Sequence, residues 1–311
     1  MASAERKTDS TSSNVRVGVA GWSYPDWNGI VYPPHKSRFD ALAYLTRFVD
    51  CLEINSSFYR IPTAGTTASW ARRASESRDD FRLTLKLFRG FTHGMETTES
   101  DRTQLHRAIE PLASAGVLGG VLAQFPWSFK HTDENVKTLV ELFGWIKRYR
   151  LVVEVRHASW ESSDFRELLV EHDVGLCNID QPVVGQSLRP SRVVTAEPAY
   201  VRLHGRNYGN WFAEGAGRDA RYDYLYREEE LDPWLDRIND LKNQASETFV
   251  ITNNHFRGQA VVNALQIRYR LSRSRGLAPA PLLEAYPQLR PLYDADESTL
   301  PAQRSLFGPS G

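Results

Sequence analysis

The sequence predicts a closed α/β barrel of the TIM (β/α)8 type, one domain over 15–275. Three observations lead to it. Eight short apolar runs alternate with stretches of helical periodicity, the pattern of a parallel sheet closed on itself with helices outside. Nearly every run ends in polar or ionisable residues, and in this fold the C-terminal strand ends gather at one pole and carry the chemistry. The 311 residues hold one barrel of ~250 residues with room for extensions.

Residues 1–14 are rich in Ser, Thr and charge and lack the apolar stretch of a signal peptide, so they read as a disordered tail. The first strand is Val15 to Ala20. After the turn Tyr32-Pro33-Pro34, the pattern predicts a helix near Phe39 to Val49. The second strand is Cys51 to Ile54, with its helix near Thr66 to Ser75. The third, Phe81 to Leu87, runs through Thr92-His93-Gly94 into a helix over Arg102 to Ala115. The fourth is Val121 to Phe125, closed by Pro126. The helix Asp133 to Arg148 has the strongest periodicity, with Val136, Leu139, Val140, Phe143 and Ile146 on one face. Thr132 suits its N-cap, and Asp133 and Glu134 suit the positive end of its dipole. Strands at Leu151 to Val155 and Val174 to Ile179 flank a helix near Asp164 to His172. Gln181 to Pro198 has Gly and Pro but little periodicity, which predicts an irregular crossover. The strand Tyr200 to Leu203 leads into a long loop, Gly205 to Tyr222, rich in Gly, Arg and aromatics; such loops are usually functional or mobile. A helix near Pro233 to Asn243, the strand Thr248 to Thr252 and a helix over Gly258 to Leu271 close the barrel. Residues 276–311, rich in Pro and Leu, read as an extension packed along it.

Composition excludes some classes of function. Net charge is +0, so no global field draws in polyanions, and contact with nucleic acid has to be local. No apolar run approaches the ~20 residues of a membrane span, which makes cytoplasm the expected location. Cys51 and Cys177 each sit in a strand and form no CxxC pair. They read as small buried side chains in a reducing compartment.

The strand ends place the chemistry. Side chains alternate along a strand, so Glu53 shares a face with Asn55, Glu154 with Arg156, and Arg202 with His204. Charges turned into a barrel are costly unless paired or solvated, and several at one pole imply a polar cavity. Glu53, Glu154, Asp180 and His204 are the candidate catalytic residues, suited to acid–base work or to holding a divalent metal that activates water. No HxH or HExxH spacing identifies the metal. Lys86, Arg156, Arg202 and Arg206 suit an anionic group, with Arg matching phosphate or carboxylate in a bidentate fork. Gln124, Asn253 and Asn254 offer neutral hydrogen bonds, and His93, His157 and His255 are further proton carriers. The competing reading makes Glu154–Arg156 and Asp180–Arg202 ion pairs that close the barrel top. Trp22 and Tyr24, with Phe58-Tyr59 and Trp211-Phe212, are aromatic strips that line a pocket or anchor loops. Arg206, Arg218 and Arg221 against Glu214 and Asp219 give the long loop a slight basic excess.

These strand ends resemble those of the YecE-like family. The segments carrying the resemblance include Gly21-Trp22-Ser23-Tyr24, Glu53-Ile54-Asn55-Ser56-Ser57-Phe58-Tyr59-Arg60 and Gln124-Phe125-Pro126-Trp127. They continue with Glu154-Val155-Arg156-His157-Ala158-Ser159-Trp160, Arg202-Leu203-His204-Gly205-Arg206 and Asn253-Asn254-His255-Phe256-Arg257-Gly258. The resemblance spans about 15–270 and implies a TIM barrel. It does not imply a reaction, because the family is one of unknown function; likeness of its barrel to metal-dependent DNA-repair endonucleases is fold analogy only.

Near the C-terminus, Gln303-Arg304-Ser305-Leu306-Phe307 resembles the pentapeptide that binds the bacterial sliding clamp, with Arg304 where Leu is preferred. Leu306 and Phe307 would fill an apolar pocket and Gln303 its rim. Three functions follow as expectations. The first is an enzyme acting on a phosphate-bearing small molecule or on nucleic-acid phosphodiesters. The second is a sugar or sugar-phosphate isomerase or lyase. The third is a non-catalytic adaptor on DNA or the clamp.

Overall fold

The computed structural model describes residues 14–34, 39–209, 218–296 and 298. Eight parallel strands close into a barrel in chain order: β1 (Val15–Ala20), β2 (Cys51–Ile54), β3 (Arg82–Lys86), β4 (Leu118–Gln124), β5 (Leu151–Glu154), β6 (Gly175–Asp180), β7 (Ala199–Leu203) and β8 (Thr248–Thr252). β8 pairs with both β7 and β1, which shuts the ring. The helices between and after them are α1 (Ala41–Leu45), α2 (Ala64–Ser77), α3 (Glu99–Ser114), α4 (Asp133–Ile146), α5 (Ser163–Glu171), α6 (Arg218–Arg221), α7 (Glu228–Lys242) and α8 (Gln259–Ser272). The strands are almost wholly buried, because parallel barrel strands face side chains within and helices without. This is the predicted TIM barrel.

The helix starts follow from their caps. Thr63 accepts from the Thr66 amide at the head of α2, and Ser162 from the Phe165 amide at the head of α5. Thr132 accepts from the Asn135 amide, in the role its position predicts. At α3, Thr98 and Asp101 cap each other's backbone, so the helix begins three residues before the expected Arg102. α7 likewise begins at Glu228, where Glu228, Glu229 and Glu230 meet the positive end of its dipole. α1 is shorter than the helix expected over 39–49. After Leu45 the chain tightens, with the Phe48 amide donating to the Leu45 carbonyl at 2.9 Å, and the Thr46 hydroxyl turns back to the Ala43 carbonyl at 2.8 Å. The crossover from β6 to β7 contains no helix, as its Gly and Pro content predicts.

Two glycines permit close approaches. A Cβ at Gly18 would lie 1.9 Å from the Cys51 carbonyl oxygen, where β1 meets β2. One at Gly119 would lie 2.4 Å from the Phe249 ring. That second contact explains why β4 extends back to Leu118, through glycines that read poorly as strand. At the N-terminal pole Asp50 accepts from Arg78 and Arg268 at 3.1 and 3.2 Å and from the Val17 amide, tying strands and helices together. Cys51 and Cys177 are buried free thiols.

Beyond α8 the chain forms β9 (Gly276–Pro279), α9 (Ala280–Ala285) and β10 (Tyr293–Asp296), with β9 and β10 paired in parallel. The Tyr293 hydroxyl donates to the Leu265 carbonyl of α8 at 2.9 Å, so this extension docks on the barrel. The Trp211-Phe212 strip and the pentapeptide Gln303 to Phe307 lie outside the described residues. Among those described, no helix is long and apolar enough to cross a membrane.

Candidate active site at the C-terminal pole

Alternation along β7 sends Tyr200 and Arg202 inward, and His204 follows just past the strand. Arg202 is fully buried and bridges two carboxylates: Nη2 donates to Glu53 Oε1 at 2.7 Å and Nη1 to Glu154 Oε2 at 2.5 Å. The other Glu53 oxygen accepts from the Tyr200 hydroxyl at 3.0 Å, and Tyr200 meets the Thr84 hydroxyl at 2.8 Å across the barrel. Glu154 Oε1 accepts from Arg156 Nε and Nη2 at 3.0 and 2.8 Å and lies 3.1 Å from His204 Nε2. Burial alone would raise the Glu154 carboxyl, but Arg202, His204 and Arg156 hold it well below the usual carboxylate range. It is therefore an anion at neutral pH. Removing one partner from such a buried ionic cluster typically costs about 3–5 kcal/mol, because the remaining charges lose compensation.

His204 differs from the proton carrier that its residue type suggests. Burial, reinforced by Arg156 and Arg202 and opposed by Glu154, pulls its pKa down to about 3. Glu154 is an anion and needs a donor, so the proton of the neutral ring sits on Nε2. Nδ1 then accepts from Asn253 Nδ2 at 3.0 Å. His204 is thus a fixed link between Glu154 and Asn253 rather than a group poised near neutrality.

Asp180 lies in a separate cluster. Both of its oxygens accept from Arg206, at 2.9 and 3.2 Å, and Arg206 also lies 3.6 Å from Glu230. Burial raises the Asp180 carboxyl and Arg206 opposes the shift. The expected Asp180–Arg202 pair is replaced by Asp180–Arg206, because Arg202 is drawn into the barrel axis by Glu53 and Glu154. The expected Glu154–Arg156 pair is present. The carboxylate oxygens of Glu53, Glu154 and Asp180 all carry hydrogen bonds from cations or a hydroxyl. Among the described residues no group of three or more His, Cys, Asp or Glu is placed to hold a metal ion. This donor set does not fit a divalent cation.

Above the network lies a cavity of about 560 Å³, within the range of small-ligand sites. Lys86, Arg156 and Arg221 line it, and no Asp or Glu does among the described residues. Gln124, whose Nε2 donates to the Phe125 carbonyl at 2.6 Å, and Asn253 supply neutral polar groups. Phe58, Tyr59, Trp127 and Tyr222 form aromatic walls. The Lys86 ammonium lies 3.9 Å from the centre of the Phe58 ring. Burial, with Arg202 next and the carboxylates opposing, lowers its pKa to about 7, while the ring face favours the charged form. His93, in the same lining, is pulled to about 4 by burial and by Lys86.

Of the expected substrate residues, Lys86, Gln124, Arg156 and Asn253 meet at this cavity. Arg202 is sealed beneath it and Arg206 is spent on Asp180. Asn254 is fully buried, donating to the Tyr224 carbonyl and to Asn263 at 2.7 and 2.8 Å, so it braces the loop after β7. The Tyr24 hydroxyl donates to the Ala20 carbonyl at 2.6 Å and its ring stacks on His255, which itself lines the cavity. Trp22 packs edge-on against Trp70 at 5.5 Å. Neither Trp22 nor Tyr24 belongs to the described lining. Trp127 and Tyr222 do, although the sequence reading gives them no binding role. Their only signal there is position, one after a strand end and the other at the close of the long loop.

Comparison with known proteins fixes the kinship. The family described as "Protein of unknown function DUF72" matches residues 16–286. UPF0759 protein YunF of Bacillus subtilis (strain 168) is 28% identical over 292 residues, covering 86% of this chain and 99% of its own. The crystal structure of a DUF72 family protein from Thermotoga maritima MSB8 is 34% identical, with a TM-score of 0.72, covering 83% of this chain and 98% of that one. A DUF72 family protein from Enterococcus faecalis V583 gives 25% identity and a TM-score of 0.73, covering 84% and 96%. The chain therefore belongs to the DUF72 family.

Proposed function

We propose that the chain is an enzyme acting on a small phosphate- or carboxylate-bearing substrate in the cavity at the C-terminal barrel pole. One observation carries the reading: Lys86, Arg156 and Arg221 line a cavity of about 560 Å³ whose described lining contains no acidic residue. Cations gathered among aromatic rings, with low-dielectric walls that focus their field, attract an anion more strongly than isolated surface charges. Arg156 would hold the anionic group, because its bonds to Glu154 fix the guanidinium at the wall. Gln124 and Asn253 would orient the rest of the substrate, with Phe58, Tyr59, Trp127 and Tyr222 flanking it. Glu53, Glu154, Arg202 and His204 would act as the base plate that sets these groups, and Lys86 as the group poised for proton transfer.

The cavity size and the pairing of Arg206 with Asp180 favour a small ligand, such as a sugar phosphate, over a nucleic-acid strand. Hydrolysis of phosphodiesters is the alternative that the test below separates. Within the family we place the chain among the YecE-like members, on the segments quoted above. A cytoplasmic site is consistent with the two free buried thiols. Sliding-clamp binding through Gln303, Leu306 and Phe307 is an independent proposal from the sequence; absence of binding between a 303–307 peptide and a purified clamp would remove it.

The test is thermal unfolding against a panel of small phosphates, small carboxylates and a single-stranded oligonucleotide. A small anion at about 100 times its Kd adds about 2.7 kcal/mol, which is several degrees in Tm for a domain of this size. The expected result is such a rise for at least one small anion, much reduced in Arg156→Gln, and none with the oligonucleotide. A rise with the oligonucleotide alone would overturn the small-substrate reading.

A further inference from the structure

We propose that Lys86 is a nucleophilic amine that forms an imine with the carbonyl carbon of an anionic aldehyde or ketone bound in the pole cavity. The inference rests on the small-anion reading and adds the substrate class. Among the described residues the Lys86 ammonium has neither an ion pair nor a hydrogen bond; its contact is the Phe58 ring at 3.9 Å. That is unusual for a lysine only 7% exposed, since buried ammonium groups are normally paired. The two carboxylates nearest in the barrel, Glu53 and Glu154, are already neutralised by Arg202 and Arg156. No carboxylate is thus left to pair directly with the amine; burial and the nearby Arg202 outweigh the pull of the two carboxylates and bring its pKa to about 7. The uncharged amine is then abundant at neutral pH, which is what attack on a carbonyl requires.

The chemistry needs no co-reactant. The Nζ lone pair attacks the carbonyl carbon, and the C=O π pair becomes an alkoxide that takes up the proton lost by nitrogen. The resulting carbinolamine then loses its hydroxyl and the remaining N–H proton as one water, leaving a C=N bond. In the protonated imine the carbon adjacent to the C=N carbon gives up a proton or a carbon substituent more easily, because the electron pair left behind flows into the C=N+ bond. The reaction class is thus isomerisation, or carbon–carbon bond cleavage or formation, on a carbonyl compound. Arg156 would fix the anionic group and leave the carbonyl to Lys86.

The test uses pyridoxal 5′-phosphate, which carries an aldehyde and a phosphate, on the full chain at pH 7. Borohydride fixes the adduct, and peptide mass spectrometry gives the labelling rate of each lysine. Lys86 is expected to label about 10-fold or more faster than the exposed Lys130, Lys137 and Lys242. Inorganic phosphate and Arg156→Gln should each slow that labelling, and the rate should rise with pH through about 7. Labelling of Lys86 no faster than of the exposed lysines overturns the imine, and the small-anion reading then survives on its own thermal shifts. Fast labelling that neither phosphate nor Arg156→Gln affects supports the amine and contradicts the anion site.

Discussion

At the scale of single residues, the site is set by which charges find partners. Arg202, Arg156 and Arg206 are all satisfied by carboxylates, whereas Lys86 faces an aromatic ring. Burying that amine opposes folding. In the unfolded chain Lys86 titrates near 10.5 and in the folded chain near 7, so between these values the unfolded state binds the extra proton. Stability therefore rises with pH across that window. Lys86→Met is expected to stabilise the fold by up to about 4 kcal/mol at pH 6, with the gain shrinking as pH approaches 10. Urea unfolding of both proteins at the two pH values checks this, and a constant or negative difference would contradict it. The residue types at the strand ends were legible in the sequence, but their pairing was not. Asp180 meets Arg206 rather than Arg202 because it lies on the outer face of β6, level with Leu203, whereas Arg202 is level with Ile179 on the inner face; which parity faces inward depends on the register of the closed barrel.

At the scale of elements, the strands were legible because parallel barrel strands must be apolar on both faces. Apolar periodicity starts a helix late where its first turn lies outside the repeat, as with α3, capped by Thr98, and α7, opened by Glu228, Glu229 and Glu230. The apolar pattern starts β4 only at Val121, because Gly119 and Gly120 carry no strand signal, whereas in the fold the Phe249 ring fills the space beside Gly119. The approach of β1 to β2 at Gly18 sets the position of Glu53, whose carbonyl accepts from the Gly21 amide at 2.8 Å. Gly18→Ala places a methyl against the Cys51 backbone, and overpacking of this kind costs typically about 1–3 kcal/mol. The expected outcome is a Tm lowered by several degrees together with weakened ligand binding; an unchanged Tm would mean that the two strands are not so closely joined.

At the scale of the whole molecule, the barrel divides its charges between two ends. At the N-terminal pole Asp50 ties Arg78 and Arg268 together at the wall of a cavity of about 710 Å³ in which Asp50 and Asp80 offset the cations, as expected where a barrel end serves stability. The C-terminal pole seals Glu53, Glu154 and Arg202 below and turns Lys86, Arg156 and Arg221 toward the cavity. A chain of net charge +0 thus presents a local positive site without a global field, a contrast that composition could not reveal. The central claim is that this pole binds an anion, and calorimetric titration with inorganic phosphate at low ionic strength tests it most directly. The account predicts one saturable site per chain, weakened by Lys86→Met and lost in Arg156→Gln, with Kd rising as salt is added. Absence of binding to the wild-type protein, or equal binding by all three proteins, would contradict it.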